Sequence, residues 1–251
     1  MKMNIKNFRK LLNKASIGYL IPSVSLNFDG NKLHSKQISS DNNSIVFLNL
    51  PDDILENENG EEFQLNFSDI STNVKPYLDL IKDEVVDVKF NDDFIIIEDS
   101  EKKKMKLFFC SLEFTNYFSR KDKTKQYTPF YETNLTNDLL TKISEIRKIA
   151  QRFGKIYLVT KNGKIYLEAT DKTNNYCNDL SIEIDDINTD KEISLYFDFK
   201  NLQYILSTIK YESDEVENFK LKCVYHEEHQ AGMMFFENNE KEKYVITSKN
   251  E

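Results

Sequence analysis

Leu195-Tyr-Phe-Asp-Phe-Lys-Asn-Leu-Gln-Tyr-Ile-Leu-Ser-Thr-Ile-Lys210 reads as a strand that runs directly into a helix. From Ile193 to Phe199 apolar and polar residues alternate, the period of a strand with one buried face. Leu202, Ile205, Leu206 and Ile209 then recur at three- and four-residue spacing, the period of an amphipathic helix. The same change of period occurs earlier, in Phe63-Gln-Leu-Asn-Phe67 followed by Val74-Lys-Pro-Tyr-Leu-Asp-Leu-Ile-Lys82. Val74, Tyr77, Leu78, Ile81 and Lys82 match Leu202, Ile205, Leu206, Ile209 and Lys210 at a single offset of 128 residues.

Working outward from this pair, the repeat takes in the whole chain. An amphipathic helix opens each half. Ile5, Phe8, Leu11, Leu12 and Ala15 mark the first, and Leu139, Ile143, Ile146, Ala150 and Phe153 mark the second, with Leu140 and Ile149 widening the stripe. A hairpin follows in each half, with Asp29-Gly30 in the first and Asn162-Gly163 in the second. These dipeptides suit two-residue turns, which require positive φ. Further strands are expected over 44–50, 85–90, 94–97 and 105–109, and over 180–184, 219–225, 232–236 and 244–247. The unit of helix, hairpin, strands, helix, strands thus occurs twice. The expected fold is α+β, two similar domains over 1–112 and 136–251, each with two helices packed on antiparallel sheets. Residues 113–135, with the polar stretch Ser119-Arg-Lys-Asp-Lys-Thr-Lys-Gln126 and Pro129, read as a surface connector.

Composition sets the outer bounds. The chain is 39% hydrophobic and 30% charged, which suits a soluble globular protein. No apolar run approaches the roughly 18–20 residues of a membrane span, so no membrane partner is expected. The N-terminus is too polar for a secretory signal, and a cytoplasmic location is expected. Cys110, Cys177 and Cys223 are few, scattered and odd in number, so they read as small buried apolar residues rather than disulfide or zinc ligands.

Charge is distributed unevenly. Residues 1–15, 72–82, 139–153 and 200–210 carry +5, +1, +3 and +2, while the whole chain carries −8, which leaves −19 on the remainder. On the first helix Lys6, Arg9, Lys10 and Lys14 fall opposite the apolar stripe, with Lys2 beside them. On the third, Lys148 and Arg152 point away from it while Lys142 and Arg147 flank it. Basic helices within an acidic body suit binding to a phosphate backbone without reading of base sequence. There is no recognition helix rich in Asn, Gln and Arg, and no run of stacking aromatics such as single-strand binders use.

Taken together, the paired domains, Leu65-Asn-Phe-Ser-Asp-Ile with its following helix, and the counterpart at 195–210 resemble the two-domain DNA sliding clamps of eukaryotes, archaea and T-even-type phages. The resemblance implies a head-to-tail homotrimer closed around duplex DNA, with the sheets outside and the helices lining the hole. That arrangement would turn Lys6, Arg9, Lys10, Lys14, Lys75, Lys82, Lys142, Lys148, Arg152 and Lys210 toward DNA. It implies a DNA polymerase and a clamp loader as partners, no cofactor, no metal and no catalysis, and the host cytoplasm if the chain is phage-encoded. Tyr117, Phe118, Tyr127 and Phe130 either wall a groove for partner peptides or pack locally. A monomeric processivity factor binding DNA through an open basic face is the alternative.

Enzyme motifs are sparse. His226-Glu-Glu-His229 lacks the His-Glu-x-x-His spacing of zinc proteases and reads as an exposed hairpin turn, with His34 remote in sequence. A metal-dependent nuclease would need strand carboxylates with a nearby lysine. Asp93, Glu98, Glu101 and Lys103 fit that pattern poorly. No phosphate-binding glycine loop and no Gly-x-Ser-x-Gly elbow occurs.

Overall fold

Strand β1 (Lys2–Asn4) ends at Asn4, whose side chain accepts the Asn7 N–H at 3.0 Å and so caps helix α1 (Ile5–Ala15). Ile5, Phe8, Leu11, Leu12 and Ala15 are all buried, so the apolar stripe in the sequence is the packed face of this helix. The computed structural model describes every residue except 31, 52–53, 57–61, 123–125, 173–178, 188–190, 213–215, 240 and 250–251. It forms two units, Met1–Arg120 with Glu240–Glu242, and Lys121–Asn239 with Lys243–Glu251.

In the first unit α1 is followed by β2 (Val24–Phe28), β3 (Lys32–Ile38), β4 (Ser44–Pro51), β5 (Leu55–Glu56) and β6 (Phe63–Phe67). Helix α2 (Lys75–Asp79) then leads to β7 (Val85–Phe90), β8 (Phe94–Glu98) and β9 (Lys104–Phe108). The strands make two antiparallel sheets, ordered β5-β1-β7-β8-β9 and β4-β3-β2-β6. The second unit runs β10 (Tyr131–Asn134), α3 (Asn137–Phe153), β11 (Lys155–Lys161), β12 (Lys164–Ala169), β13 (Leu180–Asp186) and β14 (Ser194–Asp198). It continues through α4 (Phe199–Glu212), β15 (Lys220–His226), β16 (Ala231–Asn238) and β17 (Glu242–Thr247). Its sheets are ordered β10-β15-β16-β17 and β13-β12-β11-β14.

Apart from β5, which has no counterpart, the two orders coincide strand for strand. β1, β7, β8 and β9 correspond to β10, β15, β16 and β17, and β4-β3-β2-β6 corresponds to β13-β12-β11-β14. Helices α1 and α3 follow the first strand of their units, while α2 and α4 follow the last strand of the hairpin sheet. The repeat in the sequence is therefore a repeat in topology.

Several expectations shift in detail. The helix read over Val74–Lys82 is shorter: a π-type turn spans Ile70–Val74 and α2 covers only Lys75–Asp79. Asp69, at φ 45°, turns the chain into this segment, and Pro76 is tolerated in the first turn because no helical N–H partner is needed there. Val74, Leu78 and Ile81 are buried, but Tyr77 is 48% exposed and so is not part of the packed stripe. Phe199, read as the last strand residue, is the first residue of α4. Part of the stretch read as connector forms β10, which pairs Tyr131 with Cys223, and the units divide at Arg120 and Lys121.

Asn162 and Gly163 have φ of 52° and 72° and close β11 onto β12, with Lys161 opposite Lys164. In β2–β3 the Asp29 N–H donates to the Lys32 carbonyl at 3.0 Å, so that turn is centred one residue beyond Asp29-Gly30. Its Asn31 lies outside the described residues. Helix α3 is capped by Thr136, which accepts the Leu139 N–H at 3.2 Å, and it ends at Gly154 with φ 69°.

Cys223 is buried, and burial pushes its thiol well above the usual range. Cys110 is only half-buried, which departs from the expectation, because it lies just past the end of edge strand β9. Cys177 and its loop 174–178 lie outside the described residues, as do Lys123, Thr124 and Lys125 of the basic stretch. Gly232 on β16 is a tight contact: a Cβ there would stand 2.2 Å from Leu195 Cδ1 and 2.8 Å from the Val224 carbonyl oxygen. Among the described residues no helix is long and apolar enough to cross a membrane.

Candidate nucleic-acid interface

The basic residues of the first unit divide by what holds them. Lys6 on α1 and Lys82 beyond α2 are exposed, Lys10 is half-buried, and none of the three has an ion pair among the described residues. Arg9 is engaged elsewhere: its Nη2 donates to the Ile81 carbonyl at 2.8 Å and also to the Leu78 carbonyl. Those carbonyls lie at the C-terminal end of the α2 segment, where free acceptors and the helix dipole favour a cation. Lys14 pairs with Glu242 at 2.5 Å, with 14% and 6% of the two side chains exposed. Lys75 is paired with Asp79 one turn along its helix. The hydrogen bond from Lys75 to Asp79 holds its ammonium group above the usual lysine range.

In the second unit Lys148, Arg152 and Lys210 are exposed and have no ion pair among the described residues. The Arg152 guanidinium lies 5.8 Å from the centroid of the Phe153 ring. Lys142 is half-buried and pairs with Asp138 at 3.2 Å. Arg147 on α3 and Lys200 on α4 are also exposed. Gln151 donates from Nε2 to Gln203 Oε1 at 3.3 Å, linking α3 to α4. Each unit thus carries cations unpaired among the described residues on or beside a pair of helices, while Arg9, Lys14 and Lys75 of the first unit are engaged in its own contacts.

The four connector aromatics are not brought together by either unit. Tyr117 bridges to Gln37 of β3, and Phe118 packs edge-on against Phe47 at 5.9 Å, both within the first unit. Tyr127 is exposed and meets His226 edge-on at 6.5 Å in the second, where Phe130 donates its N–H to the Cys223 carbonyl at 2.9 Å. The sequence did not mark a cleft of about 430 Å³ in the second unit, lined by Tyr157, Ser194, Leu195, Tyr196, Tyr225, His229, Gln230 and Lys249. Its walls come from β11, β14, the end of β15, the turn after it and the segment following β17, and no single segment carries enough of them to be read.

His226-Glu-Glu-His229 forms the turn between β15 and β16, with a 3-10 turn at Glu227–His229, as the sequence implies. Glu98 is held by Lys102 at 3.6 Å and Lys104 at 3.3 Å, and Asp93 is exposed in the turn before β8. Those carboxylates form no ligand group among the described residues.

No family model matches the chain, and no curated protein does. Solved structures share its fold. A DNA polymerase sliding clamp from Pseudomonas aeruginosa superposes at a TM-score of 0.65 with 11% identity, covering 100% of this chain and 66% of that one. The PCNA of A. fulgidus, bound to the C-terminal region of FEN-1, gives 0.65 and 13%, covering 100% of this chain and 98% of that one. The PCNA of Thermococcus kodakaraensis gives 0.62 and 13%, with 99% of each chain covered. This chain spans about two thirds of the Pseudomonas protein and almost the full length of the archaeal ones.

Proposed function

We propose that this chain, whose fold is that of the DNA sliding clamps, is a non-enzymatic processivity factor that encircles duplex DNA and tethers a polymerase. The observation that carries this reading is the doubled basic helix surface. Lys6 and Lys82 in one unit, and Lys148, Arg152 and Lys210 in the other, stand unpaired among the described residues of a chain with net charge −8. Contacts of this kind reach phosphates of any sequence and exchange readily. A protein that holds DNA by topology needs no tighter grip.

Ring closure is supported by two sheet edges. Strand β9 ends its five-stranded sheet and leaves Phe108 63% exposed, with Lys104 and Lys106 along it. Strand β13 ends its four-stranded sheet and carries Glu183, Asp185 and Asp186. An open edge bearing an exposed aromatic is an aggregation hazard unless something pairs with it. A basic edge in one unit and an acidic edge in the other suit head-to-tail pairing of copies, a heterologous contact that closes after a fixed number of subunits. Three copies would supply six units. The cleft beside Tyr157, Tyr196 and Tyr225 is the place in this chain for polymerase and loader peptides, ahead of the scattered connector aromatics.

The native mass in solution tests the ring. Light scattering on a sizing column should give three times the 29.6 kDa chain mass at micromolar concentration. Retention on closed circular DNA, lost when the circle is cut, should accompany it. A monomer at every concentration would overturn the ring and leave an open basic face that binds linear DNA.

A further inference from the structure

The turn joining β15 to β16 holds the one group of three potential metal ligands found among the described residues. His226 ends β15, while Glu228 and His229 lie in the following 3-10 turn. One donor atom from each comes within 4.8 Å of the other two. The two imidazoles lie face to face, with centroids 4.6 Å apart and planes inclined by 21°. Nδ1 of His226 is buried and has no hydrogen-bond partner among the described residues, a polar atom whose burial calls for an explanation. The turn's other carboxylate is drawn off: Glu227 is paired with Lys191. Glu228 has no ion pair among the described residues, and Gln230, at φ 46°, closes the turn behind it.

We propose that His226, Glu228 and His229 form a binding site for a borderline divalent cation of the Zn²⁺ class. Two imidazole nitrogens and one carboxylate oxygen are a donor set that suits Zn²⁺, Co²⁺ or Ni²⁺ over the oxygen-seeking Mg²⁺ and Ca²⁺. Ligand atoms on a tetrahedral ion, each about 2.0–2.1 Å from the metal, stand roughly 3.3–3.4 Å from one another. Glu228 and His229 are exposed, so their side chains can rotate to close the remaining distance while His226 stays fixed by β15. A fourth position remains for water, beside the cleft that His229 and Gln230 line. The bound cation would clamp the hairpin tip and place a positive charge at the mouth of that cleft.

The test uses the full chain, freed of metal by chelation, and titrates it with Zn²⁺ by calorimetry. Co²⁺ is then added as a spectroscopic stand-in. One equivalent per chain is expected to bind, and the Co²⁺ complex should show the visible absorption of a low-coordinate site. Loss of an outer-sphere partner alone costs about 10–100-fold in metal affinity, so Glu228→Gln and His229→Gln should each cost at least roughly a hundredfold. Both positions are exposed and should leave folding intact, which the unchanged far-ultraviolet circular dichroism would verify. His34→Gln, whose ring meets Asp29 at 2.9 Å far along the sequence, should leave Zn²⁺ affinity unchanged. Absence of micromolar binding by the parent chain, or binding that survives both variants, would overturn the site.

Discussion

Arg9 on α1 donates its Nη2 to the carbonyl oxygen of Ile81 at 2.8 Å, 72 residues further along the chain. With a second bond to Leu78, this guanidinium ties the first helix of the unit to the end of the second. A five-residue helix such as α2 has little stability of its own, so its position depends on such contacts. Arg9→Ala should therefore lower the unfolding free energy by about 1–3 kcal/mol, since it removes two charge-assisted hydrogen bonds to this segment, although the Leu78 carbonyl keeps the Ile81 N–H at 3.0 Å. Arg9→Lys should recover part of the loss, because both bonds leave the single Nη2 and an ammonium also carries more than one N–H donor, on a shorter stem. Denaturant melts check both values.

Lys6 and Lys148 belong to the basic surface that the proposed function turns toward DNA, and Lys10, without an ion pair among the described residues, lies on the same helix as Lys6. Replacing all three with Gln should leave the melting temperature nearly unchanged and flatten the salt dependence of DNA binding. Each phosphate contact contributes about 0.9 to the slope of log K against log salt, so the slope should fall by up to about 2.7. Lys14→Gln should leave that slope unaltered, because Lys14 already pairs with Glu242. An unchanged slope in the triple variant would remove these lysines from the interface.

Glu237 is half-buried between Lys222 at 2.8 Å and Lys243 at 3.1 Å. Burial acts to raise its pKa, but the two lysines outweigh burial and hold it below the usual carboxylate range. A carboxyl lowered on folding adds stability above its unfolded value of 4.5, and that stability is lost as pH falls through the folded value. Glu237→Gln should cost about 1–2 kcal/mol at pH 7, and the gap between variant and parent should narrow as the pH falls below 4.5 and close once the folded carboxyl is protonated. Thermal melts across that range measure the gap. Lys243, 10% exposed and also paired with Asp122 at 2.9 Å, should keep its place in the variant.

Gly232→Ala places a Cβ against Leu195 with no room to spare. The expected cost is about 1–3 kcal/mol from overpacking. Combining it with Leu195→Ala should cost less than the two single changes added together, since the second removes the clashing methyl. Strict additivity in that cycle would mean that the strain falls on the Val224 carbonyl instead.

What the sequence displayed and what it concealed follow the range of the forces involved. Helix α1 was legible because five apolar residues within eleven repeat at helical spacing and all five are buried. The turn at Asn162-Gly163 was legible because its positive φ is a property of those two residues. Strands β1 and β5, of three and two residues, are too short to show any period. Strand β10 sits in polar sequence and exists through its pairing with β15, 86 residues away where Asn134 faces Lys220. The basic face was readable as a charge pattern, but not which of its members are free. Lys14 finds Glu242 across 228 residues, and Arg9 finds backbone carbonyls, partners that no helical projection reveals.

The withdrawal of Arg9 changes the character of the charges that remain on its helix. What is left on α1 and beside α2, in Lys6, Lys10 and Lys82, is ammonium. An ammonium group is a hydrated point charge with no preferred facing, whereas a guanidinium grips a phosphate in a fixed two-pronged geometry. For a body travelling along a rod of phosphates, the first produces shallow wells and the second deep, evenly spaced ones. In the proposed role, the lysines of the first unit give low friction and no favoured resting register there, while the arginine of the same helix serves as internal bracing and Arg152 of the second unit remains exposed. Such a surface makes a good bearing and a poor brake.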